Sequence, residues 1–272
     1  MVVAITRPEV KETTNTETAT RIALVVEYDG TNYFGSQLQV NRSTIQAELE
    51  KALKNLTGEK VHITATSRTD TGVHARGQII SFKTTKTLPL EAFVHGLNHH
   101  LPDDIAVRSA CRTALTFNPR RMAISREYTY SILNSMTRSP LTTRFAHRVA
   151  GDLDSETMNR ACQSLIGIHD FASFASEIGG ESQKNTIRNV YRADVIRKGK
   201  MIIFTIVANA FLRHQIRNTA GALVQVGLGK MSATEFAHLL AVKQPGLAGP
   251  ALPACGLCLE QVNYPCAIEE MK

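Results

Sequence analysis

The chain reads as an α+β protein made of two ferredoxin-like halves, each with the element order β-α-β-β-α-β. Three observations predict this. Short apolar runs of strand length alternate with amphipathic helical stripes throughout, past a polar start. The order strand, helix, strand, strand, helix, strand is legible in the first half and returns more loosely in the second. Glycines and Asp-Gly steps punctuate the segments where turns are needed. Together these imply one mixed, mainly antiparallel sheet flanked by helices, with a cleft between the halves, a favoured place for a ligand.

The elements follow in order. Residues 1–20 form a polar, Thr-rich tail with neither the apolar core of a signal peptide nor the composition of a transit peptide. The first half spans 21–116 and the second 117–272. RIALVVEYDG (21–30) is an apolar run ended by Asp-Gly, hence a strand. STIQAELEKALKNLTG (43–58) carries a capping-box pattern at Ser43 and Gln46, and Gly58 closes its apolar stripe (Ile45, Leu49, Ala52, Leu53, Leu56). VHITATS (61–67) and QIISFKT (78–84) read as strands, PLEAFVHGLNHHL (89–101) as a helix and IAVRSACRT (105–113) as a strand. In the second half SREYTYSIL (125–133) is a strand and SETMNRACQSLIG (155–167) a helix. RNVYRADVIRKGKMIIFTIVAN (188–209) is a hairpin turning at Lys198-Gly199-Lys200. LRHQIRNTAGALVQVGLG (212–229) and ATEFAHLLAV (233–242) are helices, and CGLCLEQVNY (255–264) is the closing strand.

The 31 Lys and Arg against 24 Asp and Glu leave a net charge of +7, which suits a polyanionic partner as well as it suits an ordinary basic protein. No apolar run reaches the roughly 18 residues of a membrane helix, so no membrane partner is expected. Five scattered cysteines argue against a disulfide framework and for a reducing, cytoplasmic setting. Cys255 and Cys258 form a CxxC, but a second ligand pair is missing and the apolar flanks fit a strand. The histidines lack metal-ligand spacing, and neither GxxxxGK[ST] nor GxGxxG occurs. No metal site and no cofactor are expected.

Three clusters could carry chemistry. SRTDTGVHARGQ (67–78) joins the second and third strands and places Asp70 between Arg68 and Arg76. An aspartate in such a connection commonly caps a turn. Flanking cations would also keep it ionised and aimed, which suits nucleophilic or electrostatic work. In REYTY, Arg126, Tyr128 and Tyr130 share one strand face, either core or a platform for a nucleobase. In NAFLRHQIRN (209–218), Arg213 and Arg217 stand four apart at a helix start, with His214 beside them. The macrodipole disfavours cations there, so Asp70, an RNA phosphate or solvent must compensate.

Taken together, these clusters resemble the TruA-type tRNA pseudouridine synthases over nearly the whole chain, from Arg21 to Tyr264. The family's RTDxGVHAxGQ stands here as RTDTGVHARGQ and its YDGxxYxGxQ as YDGTNYFGSQ (28–37), while DFASF (170–174) and IRNV (187–190) fall in family order. The resemblance implies the pseudouridine synthase fold and isomerisation of uridine to pseudouridine at positions 38, 39 and 40 of the tRNA anticodon stem-loop. The C1′–N1 bond breaks, the base turns, and C5 bonds C1′. No atoms or electrons come from a second substrate, so the reaction asks for no redox cofactor or metal.

By motif, Asp70 matches the catalytic aspartate, Tyr128 the tyrosine that stacks on the target base or takes a proton, and Arg217 the arginine paired with the aspartate. Arg68 is expected to fill the place of the flipped base. Arg76, Arg120, Arg121, Arg126, Arg213 and His74 are expected RNA contacts. Whether the aspartate attacks C1′, attacks C6 or assists a glycal route stays open. A homodimer is implied by the resemblance. Ser36, Ser67, Thr71 and Asn118 depart from residues common in the family and bear on contacts near the RNA. The alternative is a non-catalytic RNA-binding module of two RRM-like halves, against which stand the 6% aromatic content and the absence of an RNP-like run.

Overall fold

The computed structural model describes residues 19–176 and 185–271. Residues 1–18, most of the expected tail, lie outside the described residues. In the first half β1 (Thr20–Tyr28), α1 (Ile45–Thr57), β2 (Thr64–Ala65), β3 (His74–Thr84), α2 (Leu90–His100) and β4 (Ile105–Thr113) follow the expected order. The second half contains α3 (Pro119–Met122), β5 (Ser125–Asn134), β6 (His147–Val149), α4 (Ser155–Cys162), β7 (Gly167–Asp170), β8 (Ile187–Lys198), β9 (Met201–Ala208), α5 (Gln215–Gly227), α6 (Ala233–Val242) and β10 (Leu257–Asn263).

All strands join one 10-stranded sheet of order β4-β1-β3-β10-β5-β9-β8-β7, with β2 on β3 and β6 on β5. Both halves therefore show the ferredoxin-like order of fourth, first, third and second strand. The sheet is antiparallel except where β10 meets β3 and β6 meets β5. The β10–β3 seam is short, pairing Cys258 with His74 and Leu259 with Ala75. Farther along the same edge of β3, Ser81 and Ile80 pair instead with β2. The loop between β2 and β3 thus emerges where the two halves join. Gly77 is required beside this seam, because a Cβ there would lie 2.5 Å from the Glu260 carbonyl oxygen.

Burial explains the elements. In β1, Ile22, Leu24, Val26 and Tyr28 alternate inward and are at most 3% exposed. The main apolar core runs from these residues through Phe82, Phe93 and Tyr130 to Phe204 and Leu259, and a smaller cluster gathers Ala23, Cys111, Phe117 and Met271. Helices α1 and α2 pack together, with α2 against β4, while α4, α5 and α6 pack on one another, α4 against β8 and α5 against β5.

Several local expectations need correction. The capping residue of α1 is Thr44, whose hydroxyl accepts from the Ala47 N–H, and Gln46 instead donates to Glu50 and accepts from Leu38. β2 is only two residues long, and β3 begins at His74, so the second half of SRTDTGVHARGQ is strand. Helix α5 starts at Gln215 with His214 as its left-handed cap (φ 61°), so Arg213 precedes the helix and shares no helical face with Arg217.

Candidate active site

The β2–β3 loop places Asp70 in a cleft of about 970 Å³, whose walls include Arg68, Tyr128, Arg188, Phe211 and Arg217. The Asp70 side chain is 39% exposed, open enough for a substrate to reach. One carboxylate oxygen, Oδ2, stands 3.4 Å from Arg217 Nη1 and 3.4 Å from His214 Nε2. Neither side chain is loose. Arg217 Nε donates to the Leu252 carbonyl at 2.6 Å, and His214 Nδ1 lies 2.8 Å from Ser176 Oγ. The first turn of α5 holds no acidic residue, so Asp70 supplies the negative charge that Arg217 needs there.

Tyr128 on β5 is 7% exposed and contacts the Phe211 ring edge-on, with centroids 5.3 Å apart. Tyr128, Phe211, Leu212, Ile216 and Leu257 line the same cleft as Asp70. Burial pushes the Tyr128 phenol up to about 12, although a hydrogen bond with Ser67 opposes the shift. The ring is therefore a neutral phenol at neutral pH. Tyr130, on the same face, is fully buried and donates to the Pro253 carbonyl, so it belongs to the core rather than to the platform.

The expected RNA-contacting residues separate into groups. Arg68, Arg120 and Arg213 are exposed and line the cleft. Arg121, beside Arg120 on α3, is exposed but outside the lining, and Asn118 caps that turn by accepting from both arginine N–H groups. Arg126 lines the cleft yet is 9% exposed and gives its guanidinium to the carbonyls of Ala123, Arg120 and Asn209. Burial lowers its pKa, and its work is to fix the α3–β5 corner.

Arg76 points away from the cleft and donates to both carboxylate oxygens of Glu260. His74 is also displaced from its expected place: it is 5% exposed, and its Nδ1 accepts from the Gly30 N–H at 3.1 Å beside Asp29. It ties the YDG turn to the start of β3, and its ring is buried. Burial works to raise the Asp29 pKa. The Thr31 hydrogen bonds, with His74 and Arg144, outweigh that and hold it below the usual carboxylate range.

Reasoning from sequence missed Arg188 on β8. Its Nη1 donates to the carbonyls of Asn185 and Ile187, while its buried Nε has no partner among the described residues. Burial lowers its pKa. Strand alternation carried the signal, since Arg188 shares a face with Val190, which is 1% exposed. Among the described residues no group of three or more His, Cys, Asp or Glu could hold a metal, and Cys255 and Cys258 are free thiols. No helix among them is long and apolar enough to cross a membrane.

A model of the family described as tRNA pseudouridine synthase matches residues 24–120 and 161–265. A tRNA pseudouridine synthase A from Geobacter sp. (strain M21) is 42% identical over 245 residues, covering 90% of this chain and 98% of that protein. The protein of the same name from Pelobacter propionicus is 42% identical over 243 residues, covering 89% of this chain and 99% of its own. Among solved structures, a chain of the archaeal box H/ACA sRNP Nop10-Cbf5 complex aligns at 12% identity with a TM-score of 0.31, covering 75% of this chain and 43% of that one. That last likeness is too slight to carry weight; the segments matched by the family model contain Asp70 and Arg217, and Tyr128 lies in the stretch between them. By sequence, the protein belongs to the tRNA pseudouridine synthase family.

Proposed function

We propose that the protein isomerises uridine to pseudouridine at positions 38, 39 and 40 of the tRNA anticodon stem-loop, with Asp70 as the catalytic carboxylate. The observation that carries this reading is the Asp70 carboxylate oxygen held 3.4 Å from both Arg217 and His214 within an arginine-lined cleft. As the C1′–N1 bond breaks, C1′ becomes electron-poor, and an ionised carboxylate beside it lowers the barrier, as in glycoside hydrolysis. Arg217 aims that carboxylate. The base must leave the helical stack to arrive, and Arg68, exposed at the cleft, is placed to occupy the gap.

Tyr128 and Phe211 offer the flipped base a surface. A phenol held neutral suits stacking better than proton abstraction, because a group with a pKa of about 12 is phenolate only about once in 10⁵ molecules at pH 7. Arg120, Arg213 and Arg188 supply positive charge for the phosphates on either side of the target. The non-catalytic module has no support from the relatives, which are named as synthases. The cytoplasm as the place of work and a homodimer that shares one tRNA complete the reading. Release of tritium from tRNA labelled at uridine C5, by purified protein without added metal or cofactor, tests it. Binding without release contradicts it.

A further inference from the structure

The Asp70 loop is held from beneath by a buried, uncharged network that centres on Gln78 of β3, a residue 1% exposed. Gln78 Oε1 accepts from the Ser67 N–H at 3.2 Å, and Gln78 Nε2 donates to the Ser67 carbonyl at 2.8 Å. One side chain thus satisfies both backbone groups of Ser67. The second Nε2 proton goes to the Tyr28 hydroxyl at 3.4 Å. With its oxygen accepting, Tyr28 can turn its own proton to Thr69 Oγ1, 2.9 Å away. The Thr69 backbone is gripped by Ser36, whose Oγ accepts from the Thr69 N–H at 2.8 Å and whose N–H donates to the Thr69 carbonyl at 3.0 Å. Ser67 and Tyr128 line the same cleft.

We propose that Gln78 is a positioning residue for the isomerisation, holding the Asp70 carboxylate and the Tyr128 ring in one frame. One branch runs to Ser67, which lines the cleft with Tyr128, the other through Tyr28 to Thr69, the residue before Asp70. The inference rests on the proposed function. An amide is the side chain this place demands. It must accept from one N–H and donate twice, and the Ser67 N–H fixes which end is oxygen. A hydrocarbon would orphan both Ser67 backbone groups, and a carboxylate would face the Ser67 carbonyl and the Tyr28 oxygen with no proton to give. Because Tyr28 is buried, its phenol is held well above its ordinary pKa, so the network keeps its proton pattern throughout the working pH range.

The test measures kcat, KM and tRNA affinity for wild type, Gln78→Met, Gln78→Glu and Tyr28→Phe. Gln78→Met is expected to lower kcat about tenfold to hundredfold, the scale of a misplacement near 1 Å, with KM and affinity within about twofold of wild type. Gln78→Glu is expected to recover part of its kcat relative to wild type as pH falls from about 8 to 6, because a protonated carboxyl again accepts from the Ser67 N–H and donates its one proton to the Ser67 carbonyl. A general packing role would not produce that pH signature. Should Gln78→Met not fold, Tyr28→Phe carries the test, with an expected loss of about three- to tenfold in kcat alone. Wild-type kcat in a folded Gln78→Met or Tyr28→Phe, or a change in KM only, overturns the inference and leaves the proposed function standing. Absence of turnover by the wild type overturns both.

Discussion

Arg217 touches Asp70 with one end of its guanidinium and the Leu252 carbonyl with the other, at 3.4 Å and 2.6 Å. The second contact makes the first one directional: the guanidinium cannot swing to solvent without leaving a carbonyl unpaired. Arg217→Ala is therefore expected to lower kcat about 10²–10³-fold, in the range for loss of a preorganised electrostatic partner, with only modest weakening of tRNA binding. Single-turnover kinetics beside equilibrium binding check this. Uniform, salt-sensitive weakening of binding with kcat intact would recast Arg217 as a phosphate contact.

The cleft arginines and Arg76 should part company in salt titrations. Removing a phosphate contact reduces the slope of log K against log salt by about 0.7–0.9. Arg120→Ala and Arg213→Ala are expected to show that loss, because both side chains are exposed at the cleft. Arg76→Ala is expected to keep the wild-type slope, because its guanidinium is held by Glu260 on the far side of β3.

Gly30→Ala is expected to destabilise the protein by about 2–4 kcal/mol and to damage turnover together with it. A Cβ at Gly30 would stand 2.0 Å from the Val73 carbonyl oxygen, and both atoms are backbone, so the turn must separate from the catalytic loop. Thermal melting reads the loss. An unchanged melting temperature would mean that the loop yields at no cost.

Stability should fall steeply in alkali. Burial raises the phenols of Tyr128 and Tyr264 to about 12, against about 10 when unfolded. For a raised pKa the stabilisation is whole below the unfolded value and disappears as pH climbs through the folded value. The window is therefore about pH 10 to 12, with about 2–3 kcal/mol at stake for each of these tyrosines. Tyr28, Tyr33 and Tyr130 are raised in the same direction. Urea midpoints should hold to about pH 9 and then drop, with a shallower drop in Tyr128→Phe.

Much of this was legible in the sequence because its cause is local. Alternation in RIALVVEY, the stripe and closing Gly58 of α1, and the Lys198–Lys200 turn are written in neighbouring residues. The short elements β6, β7 and α3 were not expected, since three or four residues hold too little periodicity to read. The start of α5 was misjudged because His214 adopts a left-handed conformation that its residue type does not announce. At the site, charge left Asp70, an RNA phosphate or solvent open as the partner of Arg217, and the family resemblance singled out Asp70. What lay out of reach was the role of neutral side chains: the Gln78 amide acts on Ser67 and Tyr28 across three segments that only the sheet brings together. His74 misled for the converse reason, as a charged-looking residue in a polar motif that the fold buries.

The central claim is that Asp70 performs the reaction and does not merely cap its loop. Asp70→Asn keeps shape and most hydrogen bonding but removes the charge. The decisive measurement is tritium release from C5-labelled tRNA by this variant, beside its tRNA affinity. The expected result is no detectable turnover with binding close to that of wild type. Undiminished release would remove Asp70 from the mechanism.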